Sequence, residues 1–242
     1  MYSQRSPAAV LLFSLPTVLD AARKGLTGQR AGQNQAFWET LHQLTTAKVR
    51  AAGLPCVFSA TVVPAPDYAA SFGEQLQTAV SATLAQGYDR VIVIGNDCPD
   101  LRVADLRVAA DALAQGQLPI GYDRRGGVFL LGLDRRFLSA ESASGSQSFG
   151  TLPWQTDQLG RALADYLSHT FGGVVCLSAV RADWNERADL RAGDWLRGAF
   201  AGLAHRLWSR VVPISKTFTS PDFPFSSYSG RTDSLRAPPV TA

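Results

Sequence analysis

Arg90-Val91-Ile92-Val93-Ile94-Gly95-Asn96-Asp97-Cys98-Pro99-Asp100 is the stretch from which the fold can be read. Four β-branched residues follow the arginine with no polar alternation, the pattern of a central strand covered on both faces. The run then stops in a tight turn containing Gly95 and Pro99. In open α/β sheets ligands gather beyond the carboxyl ends of the strands. Asp97 sits there, held rigidly enough to coordinate a divalent cation or accept a substrate hydrogen bond. An acid at this place also has a structural use, capping the helix expected from Leu101. Asp100 is better placed for that duty.

Working outward, strand and helix signals alternate. Ala8 to Phe13 reads as a first buried strand, Gln33 to Ala52 as a helix with Phe37, Leu41, Leu44 and Val49 near helical spacing, and Cys56 to Val63 as a second strand. Phe72 to Gln86 is a helix with Leu76, Val80 and Leu84 on one face, and Leu101 to Ala114 another. A polar, basic loop at Gly121 to Gly127 precedes a strand at Val128 to Leu133. A flexible Ser/Gly stretch spans Ser142 to Gly150, and the last elements are a helix at Trp154 to Leu167, a strand at Gly173 to Leu177 and a helix at Ala188 to Arg210. The βαβα order predicts an α/β fold built on a parallel sheet.

The chain has 242 residues, 46% hydrophobic and 18% charged, which excludes global disorder. Its formal charge of +3 comes with no basic cluster, so no nucleic-acid footprint is expected. Cys56, Cys98 and Cys176 are odd in number, far apart and set in apolar stretches, as expected of thiols in the reducing cytoplasm. His42, His169 and His205 are scattered singly and build no zinc spacing. The apolar run after Arg5 resembles part of a secretory signal, but Pro16 interrupts it and its length suits a buried strand; no stretch reaches the roughly 20 apolar residues of a membrane span. From Pro213 the last 30 residues hold five of the 13 prolines, six serines and four threonines without periodicity. The expected organisation is one domain over residues 1–210 and a disordered tail or extended arm over 211–242. Phe218, Phe223, Phe225 and Tyr228 would let that tail dock on an unspecified protein partner or back on the domain.

The turn Gly95-Asn96-Asp97-Cys98-Pro99-Asp100-Leu101, followed by Gly121 to Leu133 reading GYDRRGGVFLLGL, resembles the paired signatures of the glycosyltransferase-like proteins grouped as DUF2064. These are relatives of the GT-A nucleotide-diphospho-sugar transferases and of guanylyltransferases acting on molybdopterin or phospholactate. Phe72-Gly73-Glu74-Gln75-Leu76, Leu152-Pro153-Trp154-Gln155-Thr156 and the Asp183 to Leu190 segment are similar to further family segments, so the resemblance covers roughly residues 8 to 200. It implies a GT-A, Rossmann-like three-layer sandwich with a mostly parallel central sheet. It further implies a nucleotide sugar or nucleoside triphosphate as partner, with Mg²⁺ or Mn²⁺ on its phosphates held by Asp97 together with Asn185 or Asp183. Arg23, Lys24, Gly95 and Arg125 would contact nucleotide and phosphate, and Gly126, Gly127 and Trp154 would form the acceptor side.

The chain departs from the family pattern at two loops. Asp20 replaces a glycine whose backbone would approach phosphate, where a carboxylate is expected to repel it. Arg125 replaces the acid of the second signature, exchanging metal chemistry for direct cation contact with phosphate. Asp123 would compensate only through a shift of register. These departures leave a second expectation beside the transferase: a catalytically silent relative that keeps the fold as a binding or regulatory module.

Overall fold

In a computed structural model, residues 8–27, 31–142 and 148–211 are described. The strands are β1 (Ala8–Leu12), β2 (Cys56–Phe58), β3 (Arg90–Ile94), β4 (Leu118–Tyr122), β5 (Val128–Asp134) and β6 (Val174–Cys176). The helices are α1 (Thr17–Arg23), α2 (Ala31–Ala52), α3 (Ser59–Val62), α4 (Phe72–Ala85), α5 (Val103–Ala114), α6 (Arg136–Ser142), α7 (Leu159–Phe171) and α8 (Ala201–Ser209). They form a six-stranded sheet in the order β2-β1-β3-β5-β4-β6 with helices packed on it, a mixed α/β fold of the expected GT-A, Rossmann-like kind.

Topology decides where the chemistry gathers. β1 pairs in parallel with β2 and β3, β4 pairs in parallel with β6, and β5 alone runs against both its neighbours. Five strands therefore point the same way, and the segments leaving β1, β3, β4 and β6 emerge along one edge. The centre is apolar enough to fix this arrangement: all five residues of β1 and the last four of β3 are buried. In β4 the run Leu118-Pro119-Ile120-Gly121 is buried too. Pro119 and Gly121 read locally as breakers. Tertiary pairing overrides them, and Gly121 is needed because Phe129 packs where its side chain would be.

Several expected boundaries move. The second strand ends at Phe58 and the chain turns into α3, where Ser59 Oγ donates to Ser14 O at 2.9 Å and accepts from Ser14 N. α5 starts at Val103, and its first turn is closed by Asp105, whose Oδ2 accepts from Arg102 N at 2.8 Å; Asp100 is not the cap. The last helix is broken up, because 3₁₀ turns at Arg187–Asp189 and Asp194–Leu196 precede the shorter α8. α4 opens as expected, with a capping box in which Ser71 Oγ accepts from Glu74 N and Glu74 Oε2 accepts from Ser71 N.

A second apolar cluster lies apart from the sheet. Phe37, Trp38, Leu41 and Leu44 on α2 pack with Trp184, Trp195, Leu207 and Trp208. This cluster ties α8 and the segment after β6 to α2. No helix among the described residues is long and apolar enough to cross a membrane. The tail expected from residue 211 lies, beyond Val211, outside the described residues, as do residues 143–147 of the expected flexible stretch.

Candidate functional site

The turn after β3 is fastened on several sides. Phe13 N donates to Ile94 O at 2.9 Å, Trp184 N donates to Asp97 O at 2.8 Å, and the buried Lys48 Nζ donates to Pro99 O at 2.6 Å. Gly95 leaves room for the Asp97 carboxylate, since a Cβ at that residue would lie 2.6 Å from Asp97 Oδ1 and the carboxylate would have to shift. The carboxylate thus folds back over the strand end. Burial pushes the Lys48 amine down to about 8, with the nearby Cys98, Asp100 and Asp105 opposing the shift.

Lys24, just past α1, reaches into the same place. Its Nζ donates to Asp97 Oδ2 at 2.6 Å and to Asn185 Oδ1 at 2.8 Å, and lies 5.6 Å from the centre of the Trp38 ring. Its backbone is anchored because Lys24 O accepts from Asn34 Nδ2 at 2.9 Å and from Trp38 Nε1 at 3.4 Å. Burial disfavours the ammonium, yet Asp97 outweighs it and the pKa is raised above the usual lysine range. Asp183 completes the group. Burial first, then the charges of Asp97 and Asp123, push its carboxyl up to about 8, and its buried Oδ1 has no hydrogen-bond partner. The fully buried Cys98 thiol bonds to Asp183 and is pushed well above its ordinary pKa by burial and by that acid, which suits a packed thiol and not a nucleophile.

Asp20 does not face a phosphate. Its side chain turns inward, is 6% exposed, and accepts from Asn96 Nδ2 at 3.0 Å through Oδ2. The expected repulsion therefore does not arise from a projecting carboxylate. Burial pushes the Asp20 carboxyl up to about 6, against the Asn96 hydrogen bond and Lys24, which lower it. An unfolded aspartate ionises near 3.9. Between pH 4 and 6 the unfolded chain therefore releases a proton that the folded chain keeps, and the stability present below pH 4 is lost as the pH rises. Asp20→Asn is expected to flatten this slope and to raise stability at pH 7 by on the order of 2 kcal/mol. Urea unfolding of both proteins from pH 4 to 7.5 checks it, and parallel pH profiles would count against it.

The second loop is organised by Asp123, whose Oδ1 accepts from Arg125 N at 2.7 Å and from Gly127 N at 2.8 Å. Gly126 has φ +88°, a left-handed conformation, and the Asp157 carbonyl occupies the position of a Cβ. Its own carbonyl accepts from Gly160 N at 2.9 Å, at the start of α7. Close backbone approach at Gly126 and Gly127 is thus used within the protein. Arg125 forms an ion pair with Asp189, whose Oδ2 accepts from Asn185 N at 2.9 Å and Glu186 N at 2.8 Å. Arg125 therefore tethers the segment that carries Asn185. Trp154 is half-buried between Phe72 and Phe149, with Nε1 donating to Phe149 O at 2.8 Å, and it fills the space left by Gly73.

Of the residues expected at the site, Lys24, Gly95, Asp97, Asp183 and Asn185 come together. Arg23 is exposed on the last turn of α1, and Arg125, Gly126, Gly127 and Trp154 are engaged in contacts of their own. Asn96 and Lys48 are further supports that the sequence reading did not assign, and Asp123, expected to act only through a shift of register, organises its own loop. Of these, Asn96 donates to Asp20, a residue at which the sequence departs from the family pattern.

No group of three or more His, Cys, Asp or Glu side chains placed to hold a metal occurs among the described residues. Asp97 and Asp183 bring two carboxylates and Asn185 an amide oxygen, all hard ligands. Asp183 Oδ1 is a buried polar atom with no hydrogen-bond partner. Oxygens of this kind are those an ion such as Mg²⁺ takes, with water and substrate oxygens and not a protein cage completing it, and two of the three here accept from Lys24.

The fold is of the GT-A-like kind. A "putative nucleotide-diphospho-sugar transferase" from Desulfovibrio desulfuricans G20 superposes with a TM-score of 0.62 at 15% identity, covering 85% of this chain and 97% of that one. Glucosyl-3-phosphoglycerate synthase from Mycobacterium tuberculosis, solved with Mn²⁺, UDP and glucosyl-3-phosphoglycerate, gives a TM-score of 0.41 at 14% identity, covering 86% of this chain and 81% of that one. Residues 38–156 match the family described as "Uncharacterized protein conserved in bacteria (DUF2064)", so the resemblance read from the sequence is borne out. Asp97 and the second loop lie inside the match, and Lys24, Asp183 and Asn185 lie outside it. No curated protein matches the chain.

Proposed function

We propose that the chain is a GT-A-like transferase that takes a nucleotide-activated donor, with Mg²⁺ or Mn²⁺ at the donor diphosphate. The observation that carries this reading is the meeting of Asp97, Asp183 and Asn185 with Lys24 at the carboxyl edge of the sheet. Asp97 and Asn185 would hold the ion, with the buried Asp183 carboxyl behind them. When bound, the ion neutralises charge that develops on the leaving diphosphate. Lys24 supplies the cation for a phosphate oxygen. The Arg125–Asp189 pair keeps Asn185 on the site and is not itself a phosphate contact. Glycosyl and nucleotidyl transfer both use such a site, and the cytoplasm supplies donors for either.

A second reading, the silent binding module, is favoured by the internal engagement of Lys24, Arg125, Gly126 and Gly127. Calorimetric titration of the native protein with GDP-sugars, UDP-sugars and GTP, with and without Mn²⁺, separates the two. Metal-dependent binding of one donor supports the transferase. Absence of nucleotide binding under both conditions would sink it.

A further inference from the structure

We propose that Lys24 competes with the divalent ion for Asp97 and Asn185, so that ion and donor diphosphate bind tightly only together. This rests on the donor-and-metal reading above and assigns how the same site is regulated.

Two oxygens belonging to different segments, Asp97 Oδ2 after β3 and Asn185 Oδ1 after β6, accept from one ammonium at 2.6 and 2.8 Å. An ammonium has three protons and no lone pair. It therefore spends most of its hydrogen-bonding capacity on the two oxygens that a hard cation would use. A divalent ion drawing on the same pair would meet a like charge within a few ångströms, in a site that is only partly hydrated. The two cations exclude each other unless the ammonium moves.

Movement is available to the side chain and not to the backbone. Lys24 O is held by Asn34 and Trp38, so the loop stays in place, whereas the four-carbon stem rotates freely enough to aim Nζ elsewhere. The carboxylate and the amide oxygen are the hydrogen-bond partners of Lys24 Nζ. A diphosphate entering the site offers it other oxygens, and the vacated pair then passes to the ion. The free energy lost by the ion in displacing Lys24 is recovered when the phosphate takes the ammonium. Such coupling is reciprocal: the ion tightens the donor by the factor by which the donor tightens the ion. The expected consequence is weak binding of the ion alone.

Removing the competitor tests this directly. Mn²⁺ alone is titrated into the native protein, Lys24→Met and Lys24→Arg, and free Mn²⁺ is read by electron paramagnetic resonance. Circular dichroism verifies that each variant is folded. Lys24→Met is expected to bind Mn²⁺ at least tenfold more tightly than the native protein, and Lys24→Arg, which keeps a charge there, within about threefold of it. Equal or weaker Mn²⁺ binding by Lys24→Met would overturn the competition. Should Asp97→Ala still abolish native Mn²⁺ binding, the metal site itself would survive that result. If Mn²⁺ binds neither the native protein nor Lys24→Met, the competition and the metal reading fall together.

Discussion

Asp97→Ala is expected to weaken metal-dependent donor binding by at least about a hundredfold while leaving the protein folded. The carboxylate lies at the end of a buried strand, over a glycine that admits it, with its position fixed through the Trp184 N–H bond to its own carbonyl. That carbonyl bond is backbone and survives the substitution. The side chain itself makes few contacts beyond Lys24, and the pair is partly exposed, so its loss costs stability no more than about 1 kcal/mol. Removing one acid also relieves Asp183, whose carboxyl is held up in part by the charge of Asp97. Binding and stability should therefore separate. Calorimetry with the donor and Mn²⁺, set beside a thermal melt, measures both. Retention of metal-dependent affinity within a few-fold of native would place the ion elsewhere in the protein.

Arg181→Met should be the most damaging single change to stability, at about 3–5 kcal/mol. Arg181 Nε and Nη2 donate to the two Asp105 oxygens at 2.8 and 2.7 Å, and both residues are buried. Hydrogen bonding to Asp105 raises the arginine pKa further. Truncating one partner leaves the other ionised in the interior. The double variant Asp105→Leu/Arg181→Met removes both charges and should recover most of the loss. It would remain below native by about 1 kcal/mol, because Asp105 Oδ2 also closes the first turn of α5. Chemical denaturation of the two single variants and the double variant forms the cycle, and additive losses would show that the charges act independently.

The strand that ends at the site was legible because burial on both faces leaves no alternative composition: Val91 to Ile94 admits no other reading. The long helix α2 was legible from Phe37, Leu41, Leu44 and Val49 for the corresponding reason of periodicity. β4 was not, since Pro119 and Gly121 speak locally for a loop and only pairing with β5 and β6 decides otherwise. The final helix was overextended because Gly193 and Gly198 sit in a segment whose aromatic residues pack on α2 and not in a continuous helical stripe. At the site, Asp97 announced itself by following a buried strand. The meeting of Lys24 with Asn185, 161 positions apart, follows from topology, because β1 and β6 deliver their loops to one edge. Arg125 was read as a phosphate contact, and no local feature reveals Asp189 opposite it.

The aromatic cluster beside the site has an optical meaning. Four of the five tryptophans lie in it: Trp38 under the Lys24 ammonium, Trp184 between Asp183 and Asn185, and Trp195 and Trp208 packed against Trp184. Excitation passes readily among Trp184, Trp195 and Trp208 at ring separations of 5.2 to 6.4 Å. The protein therefore carries an intrinsic fluorophore beside the Lys24, Asp97 and Asn185 side chains, with no label attached.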